Sequence, residues 1–243
     1  MENTDYAPAS AQPYLAKLAT QGIKLANYNA VTHPSQPNYV AAIYGSWFGH
    51  VWFDFNANID GDSLVTLLDR KGLSWKGYSE GYPGNCFLGA TSGEFARKHQ
   101  PLLSMTQVTA NATRCANLVD FNQLDADVAA GALPTFSWIT PNMLNCGHDT
   151  DVAYADKWLA GFLPKLLDKF GSDTLFVISF DENGNWLARN QVYTVLVGKG
   201  AAPGVVDSNA YDHYSLLRTI EDNFGLGNLG RNDADAKPFS SLN

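Results

Sequence analysis

A single serine stands between two prolines in residues 32–39, which read THPSQPNY. We predict that this segment joins a strand to a short helix and holds the Ser35 hydroxyl near the helix N-terminus. Free N–H groups at such a terminus favour an anion such as phosphate. A helix cap made by Ser35 or Asn38 would explain the same residues without chemistry, so both interpretations stay open.

Two carboxylates follow the most apolar run of the chain. The run TLFVISF ends at Asp181 and Glu182, and in an open parallel sheet ligands bind beyond the carboxyl ends of the strands. Paired carboxylates are hard oxygen ligands that suit a divalent cation. Acidic loop residues after a strand are also common without a ligand, so this alternative stays open too.

The histidines differ in what their neighbours predict. His148 lies in the segment CGHDTD, where Thr150 or Asp151 is expected to cap the following helix. Capping does not account for His148, which is a candidate acid or base facing the cleft. Asp212 and His213 open the last helix in the same way, and there a cap with a packed histidine is favoured. No role is assigned to two further histidines, His50 and His99.

A competing motif is GYSEG at residues 77–81, which matches the nucleophile elbow G-x-S-x-G of serine esterases. Asp181 and His213 follow Ser79 in the required order. The elbow needs a helix directly after it, and YPGNCFLG does not favour one. A serine esterase is therefore a distant alternative. The absence of phosphate-loop and dinucleotide fingerprints argues against those sites.

The elements that must position these residues alternate between strand and helix. Strands are predicted at 25–31, 73–78, 135–139, 174–180 and 192–197, and helices at 12–20, 38–44, 63–71, 153–170 and 214–223. This alternation predicts an α/β fold with a doubly wound, mostly parallel sheet. The run TLFVISF is expected to be a central strand covered on both faces. We predict a single domain over residues 1–243, with a loop-rich insertion at about 81–130.

Composition excludes several classes of function. The 243 residues carry 16 Lys and Arg against 24 Asp and Glu, a net charge of −8. An acidic chain without a basic run is not expected to bind nucleic acid, and no apolar run approaches the length of a membrane span. Three cysteines, Cys86, Cys115 and Cys146, allow at most one disulfide and a free thiol.

Four segments in order resemble one family. They read THPSQPNYVAAIYGS, ITPNMLNCGHDTDVAYADKWLAGFLPKLL, FVISFDENG and YDHYSLLRTIEDNFGLG. They are similar to signatures of the phosphoesterase family of acid phosphatases and bacterial phospholipases C, and most similar to the fungal-type acid phosphatases. The resemblance implies an alkaline-phosphatase-like α/β fold, hydrolysis of small phosphate esters, and a secreted location.

The resemblance also assigns roles to residues of this chain. It implies a divalent metal of unknown identity and a nucleophilic hydroxyl on Ser35. His148 is placed near the phosphate with Asp149 beside it, and His33 and Asn38 flank the nucleophile. The implied metal ligands are Glu2, Asn3, Ser35, Asp181 and Glu182.

One departure from the family is that the apolar strand that precedes the Glu-Asn pair in relatives is missing here. Glu2 and Asn3 are then expected on a fraying terminus. A second departure is that Glu182 stands where many relatives have a second Asp. The predicted function is a metal-dependent acid phosphatase that cleaves phosphate monoesters. One alternative is a phospholipase C-like phosphodiesterase, favoured if an aromatic cluster binds a lipid head group or acyl chain rather than packing in the core. The cluster consists of Trp47, Phe48, Trp52, Phe53 and Phe55. The other alternative is an inactive truncated relative that only binds its ligand. The oligomeric state stays open.

Overall fold

A computed structural model of the chain describes residues 1–47 and 53–242. Phe48, His50 and Trp52, which entered the sequence predictions, lie outside the described residues. The α-helices are α1 Tyr6–Ser10, α2 Pro13–Gln21, α3 Ser35–Tyr44, α4 Leu64–Arg70, α5 Thr106–Thr109, α6 Ala112–Cys115, α7 Phe121–Ala130, α8 Val152–Phe170, α9 His213–Phe224 and α10 Asn232–Asp235. Two 3₁₀ turns span Arg97–His99 and Pro101–Ser104.

The strands between these helices are mostly short. They are β1 Ile23–Leu25, β2 Tyr28–Asn29, β3 Trp75–Ser79, β4 Thr91–Ser92, β5 Phe95–Ala96, β6 Leu118–Val119, β7 Phe136–Thr140, β8 Leu175–Ser179, β9 Thr194–Gly198, β10 Val205–Asp207 and β11 Tyr211–Asp212. The larger sheets have the orders β10-β1-β9-β8 and β6-β3-β7. The second is wholly parallel, whereas β9 runs antiparallel to both β1 and β8. The α/β class with mostly parallel pairing is confirmed.

The strand β8 differs from the prediction for its sequence. It pairs with β9 alone among the described strands, and most of its side chains are only half-buried. The strand β7 likewise pairs on one side, with β3, and is half-buried along most of its length. The expectation that β8 is a central strand covered on both faces is therefore wrong for this structure. The apolar sequence predicts a fully buried strand, but among the described residues most side chains of β8 are only half-buried.

Residues 1 and 2 bridge the carboxyl ends of these two strands. The amino group of Met1 donates to the carbonyl of Ser179 at 3.3 Å, and the N–H of Asp181 donates to the carbonyl of Met1 at 3.1 Å. The N–H of Glu2 donates to the carbonyl of Cys146, which follows β7, at 2.9 Å. The structure thus holds Glu2 by backbone bonds and leaves its side chain wholly buried, contrary to the expected fraying.

The helix α3 connects two hydrophobic cores. Its residue Ala42 packs with the core around β1, β8, β9 and α8, whereas Val40 and Ile43 pack with the core beneath β3 and α4. Every residue of α3 is buried, so apolar contacts on several sides fix its first residue, Ser35. Close packing of this kind suits a residue whose position decides its chemistry.

The predicted insertion contains short helices, strands and turns rather than irregular loops alone. A disulfide joins Cys86 to Cys115 with a Cα–Cα distance of 5.6 Å, and Cys146 is a buried free thiol. The Arg97 guanidinium is buried and donates to the carbonyls of Leu88, Ala57 and Leu103. None of the described helices is long and apolar enough to cross a membrane.

Candidate active site

Ser35 lies where several acidic groups converge. It is the first residue of α3, and only 2% of its surface is exposed. Its Oγ is 3.1 Å from Glu2 Oε2, 3.1 Å from Glu182 Oε1 and 3.5 Å from Asn3 Oδ1. None of these contacts is a capping hydrogen bond to an N–H group of α3. The capping interpretation of Ser35 is therefore wrong, and the convergence with both acidic segments favours the chemical one.

The oxygen atoms around Ser35 outnumber the protons that can join them. A serine hydroxyl carries one proton, yet three acceptor oxygens lie within hydrogen-bond reach of Oγ. Asp181 Oδ2 is buried and has no hydrogen-bond partner among the described residues. Carboxylate, amide and hydroxyl oxygens gathered in this way match the donor set of a hard divalent cation. The residues present therefore fit the metal that the sequence predicts.

The crowding of buried acidic groups around Ser35 also shifts the pKa values of Asp181 and Glu182. Burial, with Asp181 as the strongest neighbouring charge, raises the pKa of Glu182 to about 9. Burial and then the Glu2 carboxylate raise the pKa of Asp181 well above its ordinary value. Ionised carboxylates that are buried close together repel one another, which favours their protonated forms. A bound cation would instead favour the ionised forms.

Glu2 and Asn3 reach the site from the start of the chain. The Tyr39 hydroxyl donates to Glu2 Oε1, while Glu2 Oε2 faces Ser35. The N–H of Asn3 donates to Asp181 Oδ1 at 3.3 Å. Asn3 adopts a φ of +45°, in the left-handed region that asparagine tolerates better than most residues. The structure therefore brings together all five residues predicted as metal ligands.

His33 and Asn38 have different places beside the nucleophile. His33 Nδ1 contacts Glu182 Oε2, and burial lowers the pKa of His33. Asn38 is buried and aims its side chain at the backbone of the preceding loop. It accepts from the N–H groups of Val31 and Thr32 and donates to the carbonyls of Thr32 and Pro34. These bonds occupy the whole amide, so Asn38 shapes the loop that presents Ser35.

His148 and Asp149 form a pair at the edge of the site. His148 Nδ1 lies 2.6 Å from Asp149 Oδ1, and His148 Nε2 lies 3.3 Å from Lys98 Nζ. Both side chains are partly exposed. A carboxylate on Nδ1 fixes the tautomer and the orientation of an imidazole. Asp151 caps α8 by accepting from the N–H of Tyr154 at 2.8 Å, as the sequence predicts.

Three residues near the site were not predicted from the sequence: His99, Lys98 and Asp54. They come from segments other than those that carry the predicted ligands. His99 is buried and lies 3.2 Å from Glu2 Oε1 through Nε2, and its ring stacks on Tyr39. Lys98 reaches Asp54 Oδ2 at 2.6 Å, and Asp54 Oδ1 accepts from the N–H of Gln36 in α3. No local pattern marks His99 or Lys98, because they lie in the insertion and meet the site only through the tertiary fold.

A second group of metal-capable atoms shares Glu2. One ligand atom each from Glu2, His99 and His148 lie within 4.8 Å of one another. Burial, followed by the charges of Lys98 and His148, lowers the pKa of His99 well below its ordinary value. A neutral imidazole has a free lone pair, so this group also has the donor chemistry to hold a cation.

The competing motifs have structural explanations. Ser79 ends β3, is buried and accepts a hydrogen bond from Gln100 Nε2 at 2.8 Å. His213 bonds instead to the Tyr28 hydroxyl and to the carbonyl of Asp181. The serine-esterase alternative is therefore wrong for this chain. Asp212 caps α9 by accepting from the N–H of Ser215, and His213 is buried, as predicted.

The sequence profile of the Phosphoesterase family matches residues 4–227. The chain belongs to the phosphoesterase family. A probable acid phosphatase from Kluyveromyces lactis is 42% identical over an alignment that covers 97% of this chain and 59% of that protein. An acid phosphatase from Aspergillus fumigatus is 39% identical, with coverages of 97% and 56%. The chain thus spans less than three fifths of the length of these relatives.

The solved structures place this phosphoesterase-family chain in a broader fold group. A protein of the alkaline phosphatase superfamily from Vibrio parahaemolyticus superposes with a TM-score of 0.66. The superposition covers 99% of this chain and 69% of that protein at 14% sequence identity. The alkaline-phosphatase-like fold is therefore confirmed, and at this identity the similarity describes the fold alone.

Proposed function

We propose that this phosphoesterase-family chain is a metal-dependent acid phosphatase that hydrolyses phosphate monoesters. The observation that carries the proposal is the Ser35 hydroxyl at the convergence of Glu2, Asn3 and Glu182. The names of the Kluyveromyces lactis and Aspergillus fumigatus relatives support the same activity.

Oxygen atoms of five residues would hold the divalent cation of this proposal. The residues are Glu2, Asn3, Ser35, Asp181 and Glu182. When bound, the cation favours the alkoxide form of a hydroxyl and neutralises charge on phosphoryl oxygens. The excess of acceptor oxygens around Ser35 and the unpartnered Asp181 Oδ2 support this assignment.

The protein residues then divide the reaction between them. Ser35 Oγ gives its proton to solvent water and attacks phosphorus in line with the ester bond, so that the Oγ–P bond forms as the bond to the leaving alkoxide breaks. His148, oriented by Asp149, gives the alkoxide a proton from Nε2. Lys98 offsets negative charge on the phosphoryl group beside it. Water then attacks the phosphoserine and returns a proton to His148 as the Oγ–P bond breaks and phosphate leaves. Ser35 Oγ takes a proton from solvent, which restores the hydroxyl.

Hydrolysis of p-nitrophenyl phosphate between pH 4 and 8, with added divalent cations, tests the proposal. The wild-type chain should release nitrophenol, whereas Ser35→Ala should lose at least about 10³-fold in kcat. Ser172→Ala, at an exposed turn after α8, serves as the matched control and should keep full activity. Rapid acid quench should trap phosphate on the Ser35 peptide. Activity that survives in Ser35→Ala, or turnover without any phosphoserine under burst conditions, would refute this mechanism.

The two alternatives from the sequence now differ in support. The backbone bonds of residues 1–3 and the burial of Glu2 support a functional acidic site rather than an inactive relative. The phosphodiesterase alternative depends on the aromatic cluster, and two of its members, Phe48 and Trp52, lie outside the described residues. Phe53 is 71% exposed. That alternative stays a prediction, and hydrolysis of phosphatidylcholine against a simple monoester distinguishes it.

We infer a location outside the reducing cytosol from the disulfide between Cys86 and Cys115. Disulfides persist mainly in oxidising compartments. This supports the secreted location that the family resemblance implies. Fractionation of the native source into cellular and secreted material, followed by detection of the chain, tests the inference.

A further inference from the structure

Trp186 lies on the rim of the candidate active site. Its ring stacks on the ring of His33, with a centroid distance of 4.9 Å and an interplanar angle of 19°. More than half of the residue, 56%, is nevertheless exposed. An indole that rests against one active-site ring and leaves most of its surface in water retains an open area for stacking.

The loop that carries Trp186 is tied to the segments that carry site residues. The N–H groups of Gly184 and Asn185 each donate to Asp5 Oδ1 at 3.0 Å. After Trp186 in the sequence, Asn190 Nδ2 donates to the carbonyl of Thr32 at 2.7 Å. These bonds anchor the loop on both sides of Trp186, next to Asn3 and His33. The indole therefore has a defined place relative to the nucleophile.

A short series of contacts links the indole to the reacting oxygen. Trp186 stacks on His33, His33 contacts Glu182 Oε2, and Glu182 Oε1 lies 3.1 Å from Ser35 Oγ. A phosphoryl group that reacts with Ser35 therefore sits close to this rim. Its leaving group must extend outward from a buried nucleophile, past exposed side chains of the rim. Aromatic rings stack on such surfaces more favourably than small polar groups do.

We propose that Trp186 is a specificity-determining residue whose exposed ring binds the aromatic leaving group of an aryl phosphate monoester. The proposal deepens the proposed function and rests on it for the activity measurement. The substrate class is the phosphate monoester of an aromatic alcohol. Leu187, the next residue, is 99% exposed and provides a matched control for exposed apolar surface without an aromatic ring.

The first experiment compares phenyl phosphate with glycerol 2-phosphate on the metal-loaded protein. Trp186→Ala should lower kcat/KM for phenyl phosphate about three- to tenfold, mainly through KM, because a stacked pair contributes this much to binding. Its kcat/KM for glycerol 2-phosphate should stay within about twofold. Trp186→Phe should restore most of the preference, and Leu187→Ala should leave both substrates unchanged.

The second experiment measures binding without turnover. In the Ser35→Ala background, titration calorimetry should show that Trp186→Ala weakens phenyl phosphate about three- to tenfold and leaves inorganic phosphate unchanged. This arm separates the two proposals. If the wild-type chain hydrolyses neither ester but shows this binding preference, the phosphatase function fails while aromatic recognition stands.

Three outcomes would overturn the inference. An equal loss for both esters would mean that Trp186 only supports His33. An equal selective loss in Leu187→Ala would indicate a general apolar rim, such as a lipid surface would contact. Unchanged affinity for phenyl phosphate in the Ser35→Ala, Trp186→Ala protein would exclude stacking directly.

Discussion

At the scale of single residues, we expect the buried side chain of Glu2 to support catalysis while it lowers the stability of the metal-free protein. Its side chain is wholly buried beside Ser35, close to the other site carboxylates. Glu2→Gln should lower phosphatase activity at least about 100-fold, because it removes one charged ligand oxygen from the proposed cation. The same change should stabilise the metal-free protein by about 1–3 kcal/mol, since a neutral amide costs less to bury than a carboxylate.

Two measurements check this opposition of signs. Metal content by mass spectrometry after dialysis against Ca²⁺, Mg²⁺ or Zn²⁺ should fall in Glu2→Gln, while urea midpoints with a chelator present should rise. The exposed Glu94 offers the control variant Glu94→Gln, which should change neither value. A Glu2→Gln protein that binds metal and turns over like the wild type would remove Glu2 from the ligand set.

Glu221 is a second buried carboxyl, remote in sequence from the site ligands. It is wholly buried in α9, and neither of its oxygens has a hydrogen-bond partner among the described residues. Burial and then the charge of Asp233 raise the pKa of Glu221 to about 8, from an ordinary value of 4.5. Its protonated form is therefore the one that the fold stabilises.

The pH dependence of stability follows from that direction. The stabilisation from protonated Glu221 is fully present below about pH 4.5 and is lost as the pH rises toward about 8, because unfolding then releases a proton. Glu221→Gln should flatten this decline and exceed the wild-type stability by about 1–3 kcal/mol at pH 8. Urea unfolding at pH 5 and pH 8 measures it. Equal pH slopes in the wild type and in Glu221→Gln would contradict the prediction.

At the scale of elements, the disulfide between Cys86 and Cys115 closes a loop within the insertion. The two residues are 29 positions apart, and cross-linking a loop of this length lowers the entropy of the unfolded chain, which stabilises the fold by about 3.5 kcal/mol. The double variant Cys86→Ala, Cys115→Ala should lower the free energy of unfolding by about 2–4 kcal/mol. Denaturant titration should show this difference for the oxidised proteins.

Reduction provides the control for this prediction. A strong reductant should bring the wild type close to the double variant and leave the variant unchanged. Cys146 is a free buried thiol, so it does not contribute to the difference. A gap that persists under reduction would show that lost packing, rather than the cross-link, destabilises the variant.

Elements with strong local signals are the ones that the sequence predicts well. The helix α8 begins after Asp151 and α9 after Asp212, where caps and apolar periodicity agree. The prediction of one strand over 25–31 is wrong, because the chain forms β1 at Ile23–Leu25 and β2 at Tyr28–Asn29, which join different sheets. Pairing partners decide such divisions, and local propensity does not encode them.

The candidate site shows the same limit. Ser35, Asp181 and Glu182 stand out because prolines or a strand precede them. The placement of Lys98 and His99 depends on the fold of the insertion. There the buried Arg97 guanidinium donates hydrogen bonds to carbonyls of three separate segments. Contacts between residues far apart in sequence create this part of the site, so no local spacing could indicate it.

At the scale of the whole molecule, the edge strands β8 and β7 of the two larger sheets could each pair with one more strand. The strands β7 and β8 each pair on one side only within the described residues, and their side chains are mostly half-buried. Residues 1 and 2 bond to Ser179 and to Cys146, beyond the carboxyl ends of these strands. A strand placed before Met1 is therefore expected to continue these bonds along the free edge of β8 and to approach the free edge of β7.

Such an addition should stabilise the fold. Fusing five or six alternating Val and Ile residues directly before Met1 should raise the free energy of unfolding by about 2 kcal/mol, since burial of several branched side chains exceeds the cost of ordering the strand. A Gly-Ser extension of equal length is the matched control and should add nothing. Thermal unfolding measures the effect, together with hydrogen exchange at Val177 and Ile139, whose N–H groups face the free edges of β8 and β7. Equal exchange rates at these amides with both extensions would show that the edges do not accept a strand, because pairing must protect edge N–H groups.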